Sequence, residues 1–275
     1  MANYTAADVK ALREKSGAGM MDCKGALDEA NGDIEKAFEL LRLKGLKGVS
    51  KREGRTTSNG LVVARVSDGK GTLIELACET DFVAKAENFV ALAEQVADAV
   101  AAAGAENVEA GLAANLGGQS VSDAIVDKAA IMGEKVELRK VEVVSASAID
   151  AYMHRTSRDL PPQVGVLLGY EGADADTAHD IAVHIAAFSP KYLSRDEVPA
   201  DVVAKEREIA TETARNEGKP EAALEKIVEG RVTGFFKEVC LLDQAFAKDA
   251  KQSVAQVAAA AGLKLTGFVR LRVGN

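Results

Sequence analysis

Residues 61–85 read LVVARVSDGKGTLIELACETDFVAK. Two apolar runs, Leu61–Val66 and Thr72–Cys78, flank Ser67-Asp68-Gly69-Lys70-Gly71, which predicts two strands joined by a turn, in a β-hairpin or meander. Beyond Cys78 the apolar spacing becomes helical, and a helix from about Lys85 to Ala103 places Phe89, Leu92, Ala93, Val96 and Val100 on one face. Thr80 and Asp81 at the junction favour a turn or a helix cap. Phe82 is open to two readings. If the helix starts at Asp81, Phe82 precedes Phe89 by seven residues and joins its buried stripe; if the chain turns there, the ring projects.

Downstream, a helix is predicted at Ser122–Met132 and a strand at VELRKVEVV, residues 136–144. The order is strand, strand, helix, helix, strand. It recurs as AIDAYMHR (148–155), VGVLLGY (164–170), a helix at 176–188, another at 253–261 and LTGFVRLRV (265–273). This predicts an α+β fold with a duplicated core of two small antiparallel sheets and helices, divided as 59–145 and 146–275. Between the last two helices, residues 196–240 form long charged helical segments around Gly218-Lys219-Pro220. Val202, Val203 and Ile209 facing Leu224, Ile227, Val228 and Val232 predict a helical hairpin with a narrow seam.

Upstream, Thr5–Asp8 reads as a capping box with the shorter acid, before an apolar stripe begun by Val9 and Leu12. Gly17-Ala18-Gly19 makes a turn, a second helix starts at Met20, and Asn31-Gly32-Asp33 separates it from a third carrying Ile34, Ala37, Phe38 and Leu41. Residues 1–45 thus predict a small three-helix module, and the basic stretch 46–58 a linker, read as a solvated hinge.

The 275-residue chain is 47% hydrophobic but only 4% aromatic, which suits a globular, helix-rich protein with modest side chains. Its net charge of −8 argues against direct nucleic-acid binding. Cys23, Cys78 and Cys240 have neither metal nor disulfide spacing, so they read as thiols of a reducing cytoplasm. No secretory signal or membrane-length apolar run is present, so a soluble cytoplasmic location is expected.

Catalytic constellations are missing. There is no phosphate-loop or dinucleotide fingerprint. His179 and His184 lie about 140° apart around a helix at ~100° per residue, so they do not form a metal pair. His154 has no acid or nucleophile spaced to it, and acids after Cys78 oppose a thiolate. The chain reads as a binding protein rather than an enzyme, with no cofactor and no metal.

Two motifs, SGAGMMDCKGAL at 16–27 and TDFVA at 80–84, resemble the bacterial elongation factor Ts family. The likeness extends along the chain through Asn31-Gly32-Asp33, Gly133-Glu134, His179–Ala187, Val228–Arg231 and Thr266–Arg270. It implies a nucleotide-exchange factor for the GTPase elongation factor Tu, with a UBA-like N-terminal module. It further implies that Thr80, Asp81, Phe82 and Val83 enter the GTPase domain, with Phe82 as a wedge that costs the partner its Mg²⁺. Arg13, Met20 and Met21 would pack on another helix of that domain, and His154 would touch the partner's third domain. The alternatives are a UBA-type adaptor fused to an unrelated α+β domain, binding a chain-like ligand through Met20-Met21, or an enzyme of unknown class.

Overall fold

The computed structural model of the chain describes residues 3–16, 18–49 and 52–275. Gly17 of the expected first turn and Ser50 and Lys51 of the expected linker lie outside the described residues. Contacts divide the chain into two compact units. One comprises Met1–Val143, Met153–Gly165 and Leu271–Asn275, and the other Val144–Tyr152 and Val166–Arg270. A single cut after residue 145 is therefore not how the contacts divide it.

The first unit opens with α1 (Ala6–Ser16), α2 (Met20–Glu29) and α3 (Ile34–Val49). Strands β1 (Asn59–Ser67) and β2 (Lys70–Cys78) follow, then the one-turn helix α4 (Asp81–Ala84) and α5 (Glu87–Ala102). After α6 (Val108–Ala113) come β3 (Asn115–Leu116), β4 (Gln119–Ser120), α7 (Val121–Met132) and β5 (Val136–Ser145). Strands β1 and β2 pair antiparallel from Asn59↔Cys78 to Ser67↔Lys70. Only Asp68 and Gly69 remain in the turn, at φ 49° and 74°. Two positive φ values make the tight hairpin turn whose twist matches its strands. The strands are thus longer, and the turn shorter, than the sequence suggested.

Strand β5 completes the sheet in the order β1-β2-β5. Alternate residues Leu61, Val63, Ile74 and Leu76 meet the Phe89, Leu92, Ala93, Val96 and Val100 stripe of α5 in one apolar cluster. The three N-terminal helices pack around Leu12, Cys23, Leu27, Ala37 and Leu41, and Ile131 of α7 belongs to the same cluster. A Cβ at Gly45 would stand 2.0 Å from the Ala130 carbonyl oxygen, so α3 and α7 touch backbone to backbone there. Beside it Arg42 Nη2 donates to both carboxylate oxygens of Asp127, at 3.0 and 2.9 Å.

This contact carries the third helix to Val49, beyond its expected end at residue 45. Within 52–58 most residues are exposed, but two side chains tie the stretch to the core. Thr57 is buried, Arg55 bonds the Glu79 carboxylate at 3.2 Å, and Arg139 donates to Thr57.

The second unit draws on β6 (Ala148–His154), β7 (Val164–Glu171), α8 (Ala175–Phe188), α9 (Ala200–Asn216) and α10 (Glu221–Val239). It continues through β8 (Ala245–Phe246), β9 (Asp249–Ser253), α11 (Val254–Ala260) and β10 (Lys264–Arg272). Its sheet runs β10-β7-β6, so the second strand is again central. Val166, Leu168 and Tyr170 pack with Ala178, Ile181 and Ile185 of α8 and Val254 and Ala258 of α11. A short hairpin precedes the last helix in each half, β3–β4 before α7 and β8–β9 before α11. Gln119-Ser120-Val121 and Gln252-Ser253-Val254 mark the equivalent positions, and each serine caps its helix.

Helices α9 and α10 form the hairpin, its seam built by Ala210, Val228 and Val232 with Val203 and Phe236. Ile209, expected in that seam, is 46% exposed. Positions 203, 210 and 214 keep the helical repeat, and Ile209 lies about 100° away from it. Cys240 belongs to the base, with Val198, Val239 and Tyr192, where Leu241 N–H donates to Tyr192 O at 2.9 Å. Among the described residues no helix is long and apolar enough to cross a membrane.

Candidate functional site

The junction that follows β2 presents an aromatic ring to solvent. Thr80, in extended backbone, caps α4, its hydroxyl accepting from Val83 N–H at 3.4 Å. The four-residue helix then ends, because Ala86 returns to extended backbone (φ −72°, ψ 135°) before α5 begins. That break takes Phe82 off the stripe of Phe89, so the two rings do not share a face. Phe89 is fully buried and Phe82 is 74% exposed.

Its neighbours are held. Val83 packs against the main cluster and Ala84 is buried within it. Lys85 lies over the Phe82 ring, its Nζ 4.7 Å from the centroid, and pairs with Asp81 at 3.2 Å. An exposed cation–ring contact is worth about 0.5–1 kcal/mol, enough to bias the ring but not to bury it.

The turn is anchored from behind. The Glu134 carboxylate accepts from Glu79 N–H at 3.1 Å, Thr80 N–H at 3.0 Å and the Thr80 hydroxyl at 2.5 Å. In return the Glu79 carboxylate accepts from Lys135 N–H at 2.6 Å. Gly133 closes α7 at φ 78°, a left-handed conformation that turns the chain at once into Glu134. Burial, and next the Glu134 charge, push the Cys78 thiol up to about 12, so it stays protonated and unreactive near neutrality.

A second surface lies on the N-terminal module. Met20 and Met21 are 59% and 76% exposed. With Tyr4, Val9 and Arg13 they line a mainly apolar groove of about 420 Å³, edged by Lys10 and Lys24. The structure thus brings Arg13, Met20 and Met21 together; neither Thr80–Val83 nor His154 lines this groove. His154 is exposed at the end of β6, its carbonyl accepting from Gln163 N–H at 2.9 Å. The segment Arg155–Pro162, which ends in two prolines, folds back against β1, where Val62 N–H donates to Pro162 O at 3.0 Å.

The other two histidines differ in burial. His184 is buried; its Nδ1 accepts from Ala247 N–H at 3.2 Å, so Nε2 carries the proton donated to Gln244 Oε1 at 2.8 Å. Burial lowers its pKa against that bond, which keeps the ring neutral. His179 pairs with Asp150 at 3.2 Å. Among the described residues no group of three or more His, Cys, Asp or Glu side chains could hold a metal ion.

The family described as Elongation factor TS matches residues 79–275, from the pinned junction onward. The chain belongs to this family. Relatives named Elongation factor Ts match over their whole length and the whole of this chain. That of Pseudarthrobacter chlorophenolicus is 59% identical over 278 residues, and that of Clavibacter michiganensis subsp. michiganensis is 62% identical over 274. That of Micrococcus luteus is 59% identical over 278 residues. Because these matches include the N-terminal module, the fusion of a UBA-type adaptor to an unrelated domain is set aside.

The resemblance proposed Thr80–Val83, Arg13, Met20, Met21 and His154 as contact residues, and the sequence did not point to the groups that hold the turn. Glu134 and Arg55 lie 54 and 24 residues from their partners, Thr80 and Glu79. Only the Gly-Glu pair after a helix hinted at the first.

Proposed function

We propose that the chain is the nucleotide-exchange factor of elongation factor Tu in translation elongation, and that the Phe82 turn is the element that disturbs the partner's nucleotide site. Family membership supports the activity. The observation that carries the mechanism is a phenylalanine 74% exposed on a turn whose flanking residues are capped, packed and hydrogen-bonded. Such a ring enters a partner with little ordering cost, because the turn is already formed.

Thr80, Asp81, Phe82 and Val83 enter the GTPase domain, and the displacement costs the partner its Mg²⁺. That ion bridges phosphate oxygens through few protein ligands, so a small shift around it weakens the nucleotide. The groove of Arg13, Met20 and Met21 docks on a second helix of the same domain, where flexible thioethers adapt to the surface they meet. His154 supplies a contact to another domain.

No bond is made or broken in this chain. By linkage, a factor that binds the nucleotide-free GTPase more tightly than the loaded one weakens nucleotide by the same factor. The reaction belongs to the cytoplasm and needs no cofactor in the factor, and the net charge of −8 suits a protein partner rather than nucleic acid. The test is release of a fluorescent GDP analogue from elongation factor Tu, with and without the purified chain. Acceleration that saturates with the chain is expected; release at the spontaneous rate would overturn the proposal.

A further inference from the structure

We infer that Glu134 is a positioning residue for exchange, whose carboxylate holds the Phe82 turn in the shape that inserts. This rests on the wedge reading of Phe82 and adds the group that sets the wedge. Glu134 contacts neither Phe82 nor, on that reading, the partner; it acts through Thr80.

The geometry is specific. One carboxylate oxygen takes the backbone N–H groups of Glu79 and Thr80, at 3.1 and 3.0 Å, and the other takes the Thr80 hydroxyl proton at 2.5 Å. The Thr80 hydroxyl has one proton to give. Committing it to Glu134 leaves an oxygen lone pair for Val83 N–H, 3.4 Å away, and that bond starts the single turn carrying Phe82.

The clamp is reciprocal, because Glu79 Oε1 accepts from Lys135 N–H at 2.6 Å while Arg55 holds the same carboxylate at 3.2 Å. Residues 79–80 and 134–135 are thereby laced together by charge-assisted bonds, about twice as strong as neutral ones. A four-residue helix cannot sustain itself in water. The orientation of Phe82 therefore depends on what fixes the residues just before that helix, and Glu134 supplies three bonds to them, one to Glu79 and two to Thr80.

A residue with this role alters the rate at which bound factor expels nucleotide more than it alters docking. The experiment uses the full chain and elongation factor Tu loaded with a fluorescent GDP analogue. It compares wild type, Glu134→Ala, Glu134→Gln, Phe82→Ala and the Phe82→Ala/Glu134→Ala double variant. Glu134→Ala is expected to lower the saturating release rate at least ~5-fold, with the half-saturating concentration moving less than ~2-fold. Glu134→Gln, which retains an acceptor oxygen, falls between. In the Phe82→Ala background Glu134→Ala changes the rate no further, because the group it positions is gone.

Amide hydrogen exchange read beside these rates is expected to quicken at Glu79 and Thr80 in Glu134→Ala while the thermal melt holds. If Glu134→Ala melts early, Glu134→Gln decides by the same readouts. Equal slowing with and without Phe82, or a change confined to the half-saturating concentration, overturns the inference. A slow Phe82→Ala beside a normal Glu134→Ala sinks this inference alone. A normal Phe82→Ala sinks the wedge reading and this inference with it.

Discussion

Each half of the duplicated core turns from its central strand into a helix, at Glu79–Ala86 in the first half and at Gly172–Asp174 in the second. In the second half the passage is short. Gly172 at φ 122° runs close to the Gly262 backbone, and Asp174 caps α8 by accepting from Thr177 N–H at 2.9 Å. In the first half the same passage holds an added one-turn helix, an exposed ring and a clamp from Glu134. A strand-to-helix turn needs only a cap. The exposed ring on the first side exceeds what folding requires, which is the physical reason behind the proposal that it serves recognition. The insertions differ too. Where the first half has the short α6, the second has the α9–α10 hairpin, whose seam packs on itself.

The comparison breaks most visibly at the two phenylalanines of the first junction. Phe89→Ala removes a fully buried ring and should cost about 3–5 kcal/mol of stability by denaturant melts. A cost below about 1 kcal/mol would mean that the α5 stripe is not the core of that half. Next in size is the groove. Replacing Met20 and Met21 with alanine should weaken binding to elongation factor Tu by about 1–3 kcal/mol in calorimetry while leaving the melt unchanged. Unchanged affinity would remove the groove from the interface. The backbone contact of Gly45 with Ala130 makes these side-chain changes a cleaner probe than deleting the module, which would uncover α7.

A smaller effect is expected where the second half does the equivalent turn. Asp174→Ala should lower the melting temperature by about 2–4 °C through loss of a helix cap and leave nucleotide release untouched. Slower release from that variant would show that the two junctions are not as different in role as their shapes are.

The smallest effect is with pH. Burial lowers the His184 pKa below its ordinary 6.5. The unfolded chain therefore takes up a proton that the folded chain refuses. The stability contributed by the neutral ring is full above pH 6.5 and drains as pH falls through the folded value. Melts between about pH 8 and pH 5 should show this decline, and His184→Gln should flatten it. An identical decline in that variant would place the titration elsewhere.

The sequence announces what local chemistry controls and conceals what distant residues impose. Asp68-Gly69 between two apolar runs made the first hairpin readable, and the Phe89 stripe made α5 readable. The helix break at Lys85–Ala86 was hidden, because both residues favour helix and nothing in the local sequence marks a stop. The third helix runs past the expected module end at residue 45 for a related reason, which lies at Gly45. Its missing side chain lets α3 pass Ala130. Ile209 shows that a seam read from apolar residues alone can miss its phase, since alanines 210 and 214 fill the buried positions. The paired β3–β4 and β8–β9 hairpins went unseen because their strands are mostly two residues long, although the repeated Gln-Ser-Val pointed to them.

The central claim is that Phe82 serves the partner and not the fold. Stopped-flow release of a fluorescent GDP analogue from elongation factor Tu, at saturating Phe82→Ala factor and beside a thermal melt of that variant, tests it most directly. The account predicts an unchanged melt and release slowed about 5- to 150-fold, the range of a 1–3 kcal/mol coupling. Release at the normal rate with a collapsed melting temperature would contradict it and make Phe82 a core residue.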